Sequence, residues 1–215
     1  FDVGADAATT GDWTPRAGKA VPELMRADEP HLADLRRLTF GGDNAEAYWS
    51  PDGRKLSFQR TPPGGDCDAQ YVLDLDSGKV ELVSSGEGRT TCGYFDFPNG
   101  DSLIYATTEA ASKQCPAKPD YAQGYVWAIY DSFDIVRRDG AGQTAPIIAG
   151  PGYDAEATAC FKDGRILFTS TRNGDLDLYV ANRDGGEVKQ LTKLPGYDGG
   201  AFFTPDCTKI IWRAS

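Results

Sequence analysis

Short apolar runs separated by tight polar turns recur along the whole chain. Four segments share one pattern, an apolar strand, a polar turn and a second apolar strand. They are residues 47–58 (Ala-Tyr-Trp-Ser-Pro-Asp-Gly-Arg-Lys-Leu-Ser-Phe), 94–105 (Tyr-Phe-Asp-Phe-Pro-Asn-Gly-Asp-Ser-Leu-Ile-Tyr), 159–168 (Ala-Cys-Phe-Lys-Asp-Gly-Arg-Ile-Leu-Phe) and 201–212 (Ala-Phe-Phe-Thr-Pro-Asp-Cys-Thr-Lys-Ile-Ile-Trp). Asp-Gly and Asn-Gly are hairpin signals, because both residues tolerate the positive φ that a twisted two-strand turn requires. Pro ahead of the turn suits a strand end, where a missing amide donor costs little.

The turn residues Asp52, Asn99, Asp163 and Asp206 are spaced by 47, 64 and 43 residues. A second strand–turn–strand piece follows each of the first three hairpins, at residues 71–83, 133–148 and 177–191. Four strands per roughly 45 residues is the arithmetic of a β-propeller blade. The long middle interval accommodates an insertion, placed at residues 108–127. The pattern therefore predicts an all-β chain of four-stranded antiparallel blades, with about three and a half blades present. Residues 35–39 (Leu-Arg-Arg-Leu-Thr) match 188–192 (Val-Lys-Gln-Leu-Thr), the last strand of a blade. The propeller is thus expected over residues 34–215, beginning on the outermost strand of one blade and stopping halfway through another. Residues 1–33, rich in Ala, Gly, Asp, Thr and Pro, read as a linker, docked through Trp13 or the stretch 21–25. Because typical propellers have four to eight blades, the ring is expected to close through further blades or a partner protein.

Composition narrows the function classes. A net charge of −10 argues against a nucleic-acid backbone as partner, since that needs clustered Lys and Arg. No run of 18 apolar residues is present to span a membrane. The chain opens on Phe1, so it reads as a processed or truncated product, and a lost signal peptide or lipid anchor is compatible with that start. Five cysteines without metal-ligand spacing suit an exported protein, periplasmic or extracellular.

Residues 154–157 (Asp-Ala-Glu-Ala), the run 161–180 and residues 185–192 resemble the WD-like repeat of TolB-type β-propellers. Trp-Ser-Pro-Asp-Gly at 49–53 is that repeat in its most usual form. Phe-Pro-Asn-Gly in the second hairpin and Cys207 in the last depart from it. The resemblance covers about residues 34–215 and is specific for the fold rather than for a function. It implies either a periplasmic scaffold that binds partners on a propeller face or in the central channel, or a propeller attached to a peptidase.

On the blade pattern, Cys67 and Cys115 fall in equivalent loops, and Cys92 and Cys160 in first strands of the next blades. Two equivalent bridges, Cys67–Cys92 and Cys115–Cys160, are then reasonable, with free buried thiols as the alternative; Cys207 is left to pair outside this chain. Acidic residues precede the innermost strands: Asp43 and Glu46, Asp154 and Glu156, then Asp198. Converging at the channel, they would hold a hard cation such as calcium, or else cap strand ends through backbone amides. Asn173-Gly-Asp-Leu-Asp lacks the spacing of a helix–loop–helix calcium site and reads as a turn of the repeat.

No Gly-x-Ser-x-Gly elbow and no phosphate-binding Gly-x-x-x-x-Gly-Lys loop occur, and His31 is the single histidine, in the linker. A Ser–His–Asp triad would have to lie outside this chain. Paired channel carboxylates leave glycoside hydrolysis as a minor option. Tyr121, Tyr125 and Trp127 of the insertion form either a binding patch or packing for their own blade. The sequence thus points to a non-catalytic, exported propeller acting as a protein-binding scaffold or assembly subunit. Its rivals are an accessory propeller of a larger hydrolase and a calcium-dependent binding module.

Overall fold

The computed structural model describes residues 16–122, 124 and 126–215. Trp13 and Tyr125 lie outside them. After β1 (Lys19–Ala20), a single 3₁₀ turn at Pro22–Leu24 and β2 (Arg36–Arg37), the chain runs through three four-stranded antiparallel sheets. Blade 1 comprises β3 (Asp43–Trp49), β4 (Lys55–Thr61), β5 (Ala69–Asp74) and β6 (Val80–Leu82). Blade 2 comprises β7 (Thr90–Phe95), β8 (Leu103–Thr107), β9 (Asp134–Arg138) and β10 (Thr144–Ile148). Blade 3 comprises β11 (Asp154–Ala159), β12 (Ile166–Ser170), β13 (Asp177–Ala181) and β14 (Lys189–Gln190), and the two-stranded fourth unit comprises β15 (Asp198–Phe203) and β16 (Ile210–Ala214). Each blade pairs its strands in chain order, as expected of a propeller meander.

The hairpin turns behave as their residues dictate. Ser50 Oγ donates to Asp52 Oδ1 at 2.6 Å, and the same oxygen accepts Arg54 N at 3.0 Å, while Gly53 takes φ 68°. Thr204, Asp206 and Thr208 repeat the arrangement in the fourth unit, where Cys207 takes φ 58° in place of the usual glycine.

The main core lies between blades 2 and 3. Ile104, Tyr105, Ile135, Tyr153, Ile166 and Phe168 are fully buried there, each worth about 1.5–3 kcal/mol of apolar burial. Small residues Ala155, Ala157 and Ala159 along β11 let the blades approach. Asp96, 1% exposed, ties the same two blades from the turn side, through Arg137 Nε and Arg183 Nη2, each at 3.1 Å. A separate small core gathers Leu56, Phe58, Leu73 and Leu75 of blade 1 around Ala17 and Leu38. Residues 16–38 thus cover the face of blade 1 turned away from blade 2. Arg36 and Arg37 pair with Lys19 and Ala20 rather than with a third strand of a fourth blade.

The disulfide pairing differs from the expectation. Cys67 bonds Cys115 and Cys160 bonds Cys207, leaving Cys92 as a buried free thiol. Neither Cys67–Cys92 nor Cys115–Cys160 forms, and Cys207 has its partner within this chain. The reason is where the side chains point: Cys92 faces the interior from the middle of β7, whereas Cys67 and Cys115 sit in the second-to-third-strand loops of adjacent blades. Cys160 directly follows β11 at its turn, and the disulfide joins it to the equivalent turn that carries Cys207. Two disulfides form and persist in oxidising compartments. Among the described residues no helix is long and apolar enough to cross a membrane.

Candidate functional site

A defect repeated in every innermost strand builds the central cavity. The register of β3 against β4 slips between Ala45 and Tyr48, that of β7 between Thr91 and Tyr94, of β11 between Ala155 and Thr158, and of β15 between Gly199 and Phe202. Each slip is a β-bulge whose first residue is left-handed: Glu46 (φ 52°), Cys92 (φ 52°), Glu156 (φ 57°) and Gly200 (φ 57°). All four line one cavity of about 880 Å³.

A bulge strips its first residue's N–H of a ladder partner, and in two units the preceding blade supplies one. Gln59 Oε1 of blade 1 accepts Cys92 N at 3.1 Å, and Glu156 Oε2 of blade 3 accepts Gly200 N at 2.7 Å. Glu156 also accepts Thr169 Oγ1 at 2.9 Å and the Tyr197 hydroxyl at 2.8 Å, and Tyr153 OH donates to its other oxygen at 3.3 Å. This carboxylate is therefore saturated and structural. Burial, with the carboxylate of Glu156 beside them, pushes the hydroxyls of Tyr153 and Tyr197 well above the usual phenol range, so both stay protonated donors.

Glu46 stands differently. It is solvent-exposed, accepts the Tyr48 hydroxyl on Oε2, and has the Cys92 sulfur 4.0 Å from that same oxygen. Burial, then the Glu46 carboxylate, raise the Cys92 thiol far above its ordinary value, so it is neutral at physiological pH. Across the cavity Arg213 stacks on the Tyr197 ring at 5.7 Å.

The other predicted acids sit at strand starts, away from the cavity wall. Asp154, 2% exposed, is paired with Arg172 at 2.8 Å. Asp198, 4% exposed, accepts Trp212 Nε1 at 2.9 Å, and Asp43 is exposed at the start of β3. Of the five carboxylates, the structure thus brings only Glu46 and Glu156 to the channel. Among the described residues no three His, Cys, Asp or Glu side chains gather closely enough to hold a metal ion. His31 is exposed on the N-terminal segment.

The apolar wall of the cavity was less visible in the sequence. Phe202 packs 5.9 Å from the Tyr48 ring and 6.4 Å from Tyr94, bringing the first and fourth units together at the centre. The insertion spans residues 108–133 between β8 and β9, where the equivalent loops cover only 62–68 and 171–176. Its far end carries Trp127 and Ile129 into the cavity lining. Trp127 Nε1 donates to Tyr153 OH at 3.3 Å, linking the insertion to Glu156. Tyr121 is exposed and is not part of the cavity.

No family model matches this chain, and no curated protein matches it by sequence. Solved structures do match. TolB from Acinetobacter baumannii gives a TM-score of 0.58 at 22% identity, over 81% of this chain and 39% of that one. A putative TolB from Agrobacterium tumefaciens gives 0.62 at 20% identity, over 83% and 58%. Oligogalacturonate lyase from Vibrio parahaemolyticus gives 0.53 at 15% identity, over 82% and 48%. The chain therefore spans 39% and 58% of the two TolB structures. Such low identities speak for architecture alone, and the lyase in the set shows that the architecture hosts unlike functions. The chain has a TolB-like β-propeller fold.

Proposed function

We propose that this propeller is a non-catalytic, protein-binding scaffold of an exported assembly, periplasmic or extracellular, and that it holds its partner at the channel cavity. One observation carries the reading: four bulged strands and the end of a long insertion converge on a single cavity with half-exposed aromatic walls. Trp127 and Phe202 are each 38% exposed there, and Tyr48 and Tyr197 flank them. Aromatic side chains at a concave, rigidly framed site are what partner recognition uses, because they bury large areas at small entropic cost. Besides hydroxyls, the polar side chains of the cavity are a structural carboxylate, an exposed carboxylate, a stacked guanidinium and a neutral thiol. That set favours holding a ligand over transforming one. Two disulfides support the oxidising compartment.

The test compares capture from the envelope fraction of the source cells by the wild-type chain and by Phe202→Glu. Phe202 borders the cavity but also packs on Tyr48 and Tyr94, so the melting temperature of the variant is checked against the wild type before the capture sets are compared. A defined protein retained by the wild type and lost from the variant is expected. Identical protein sets on both would overturn the reading.

A further inference from the structure

The two channel carboxylates are not equivalent, and the difference names the kind of group the cavity takes. Glu156 has both oxygens satisfied by Tyr153, Thr169, Tyr197 and Gly200. Its charge is balanced across the cavity by Arg213, whose Nη2 lies 3.4 Å from the Tyr197 hydroxyl that donates to Glu156. Among the described residues no cation forms an ion pair with Glu46, although its charge reaches Arg213 across the cavity. Its Oε2 takes the Tyr48 hydroxyl, and among the described residues Oε1 accepts no hydrogen bond. The left-handed bulge fixes the backbone beneath it, so the side chain projects from a defined point on the rim (φ 52°).

The cavity that Glu46 borders is also lined by aromatic rings. Tyr48 and Phe202 lie 5.9 Å apart, and Trp127 and Tyr197 line the same space. A cation on an alkyl stem satisfies both features at once, because methylenes pack on the rings while the charged head meets carboxylate and ring faces. One free oxygen favours a point-charge donor over a two-pronged guanidinium, which needs both oxygens for its paired geometry.

We propose that Glu46 receives a lysine side chain of the bound protein, with the stem lying against Tyr48, Phe202 and Trp127. This rests on the reading of the cavity as the partner site and specifies what enters it. The excess negative charge at this rim steers the lysine in, and Arg213 on the far side excludes a second cation.

The experiment titrates nitrogen-labelled protein with three capped pentapeptides, Gly-Gly-Lys-Gly-Gly and its norleucine and arginine counterparts. Shifts of the Trp127 indole resonance are followed up to millimolar peptide. The lysine peptide is expected to bind about tenfold more tightly than the norleucine peptide, a preference that falls with added salt. Glu46→Gln, at an exposed position, is expected to fold as the wild type and to lose that preference. Equal binding of lysine and norleucine peptides overturns the inference while leaving the cavity a partner site. Tighter binding of the arginine peptide overturns the choice of lysine. No shift with any peptide overturns the inference too, and the capture experiment with Phe202→Glu then judges the partner site separately.

Discussion

At Glu156 two demands meet on one residue. Its backbone is left-handed, which costs a side-chain-bearing residue about 1–2 kcal/mol, and its carboxylate gathers donors from Thr169 of β12, from Tyr153 just ahead of β11 and from the fourth unit. Glu156→Gly relieves the first and destroys the second. A net loss of about 2–4 kcal/mol is expected, because buried donors to a charged acceptor are left unpaired. Glu46→Gly, at the same bulge position but exposed, is expected to hold or slightly raise stability. Urea midpoints of the two variants decide this, and equal losses would show that the hydrogen bonds of Glu156 contribute nothing. Cys92 makes a sharper claim. Its thiol is buried and held neutral, so a thiol reagent is expected to find nothing in the native protein and one group per chain after unfolding without reductant. Fast labelling of the folded chain would mean the bulge opens. The acids ahead of the innermost strands, Asp43, Glu46, Asp154, Glu156 and Asp198, included the two that line the cavity, but the sequence could not reveal the bulge that separates Glu46 and Glu156 from the other three. Left-handed positions announce themselves through Gly or Asn, and here only Gly200 does so.

Among the elements, hairpins were readable and loops were not. Asp52, Asn99, Asp163 and Asp206 each lie in a turn of the observed fold because local chemistry settles a two-strand turn. Disulfide partners depend on which loops share an edge of the propeller and which way a strand residue faces, and neither is local. The observed bridges bear on stability in ways that can be measured. Cys160–Cys207 closes 47 residues and ties the fourth unit to blade 3. The double variant Cys160→Ser/Cys207→Ser is expected to lose about 3–4 kcal/mol by chemical denaturation. A loss below about 1 kcal/mol would place the hold of the fourth unit in the Leu167, Leu178 and Ala201 contact instead. The turns also set an acid limit. The Ser50 hydroxyl lowers Asp52, Ser77 lowers Asp74, and Thr204 holds Asp206 down to about 2. A depressed folded-state value contributes stability above the unfolded value near 4 and loses it as pH falls toward the folded one. The melting temperature is therefore expected to drop between about pH 4 and pH 2, and a flat profile there would overturn the argument. Chelator at neutral pH is expected to leave it unchanged, since among the described residues the channel acids do not gather into a group of three.

At the scale of the whole molecule, the interfaces between blades are of different kinds, and this predicts an order of opening. Blades 2 and 3 share the large apolar core and the buried Asp96 pairings with Arg137 and Arg183. Blades 1 and 2 meet through Val83, Val72 and Tyr48, which reach the edge of the main core, and through a polar seam: Ser57 Oγ donates to Gly93 O at 2.6 Å, Gln70 Nε2 to Ser57 Oγ at 2.7 Å, and Thr91 Oγ1 to Gln59 at 2.9 Å. A polar seam buried dry is costly wherever a member goes unpaired, as Gln70 Oε1 does here among the described residues, whereas an apolar contact weakens gradually. The close approach of Gly93, where an added Cβ would lie 2.2 Å from Gln70, leaves the seam no slack. The small core of Leu56, Phe58, Leu73 and Leu75 stabilises blade 1 separately. Blade arrays of this kind are quasi-linear, so their stability divides into units and neighbour interfaces. Native-state hydrogen exchange is expected to show the highest protection in β8, β9, β11 and β12, with blade 1 opening as a unit at lower free energy. Gly93→Ala is expected to lower protection of β3, β4 and β5 before that of β12. Uniform protection across all strands, or loss spreading first into β12, would mean that the seam transmits cooperativity as fully as the apolar core does. The channel cavity joins these regions, with Glu46 on blade 1 and Trp127, Glu156 and Phe202 on the rest. If the order holds, the rim that carries Glu46 belongs to the less stable part of the molecule. A bound partner that bridges Glu46 and Trp127 is then expected to raise the protection of blade 1 more than that of blades 2 and 3.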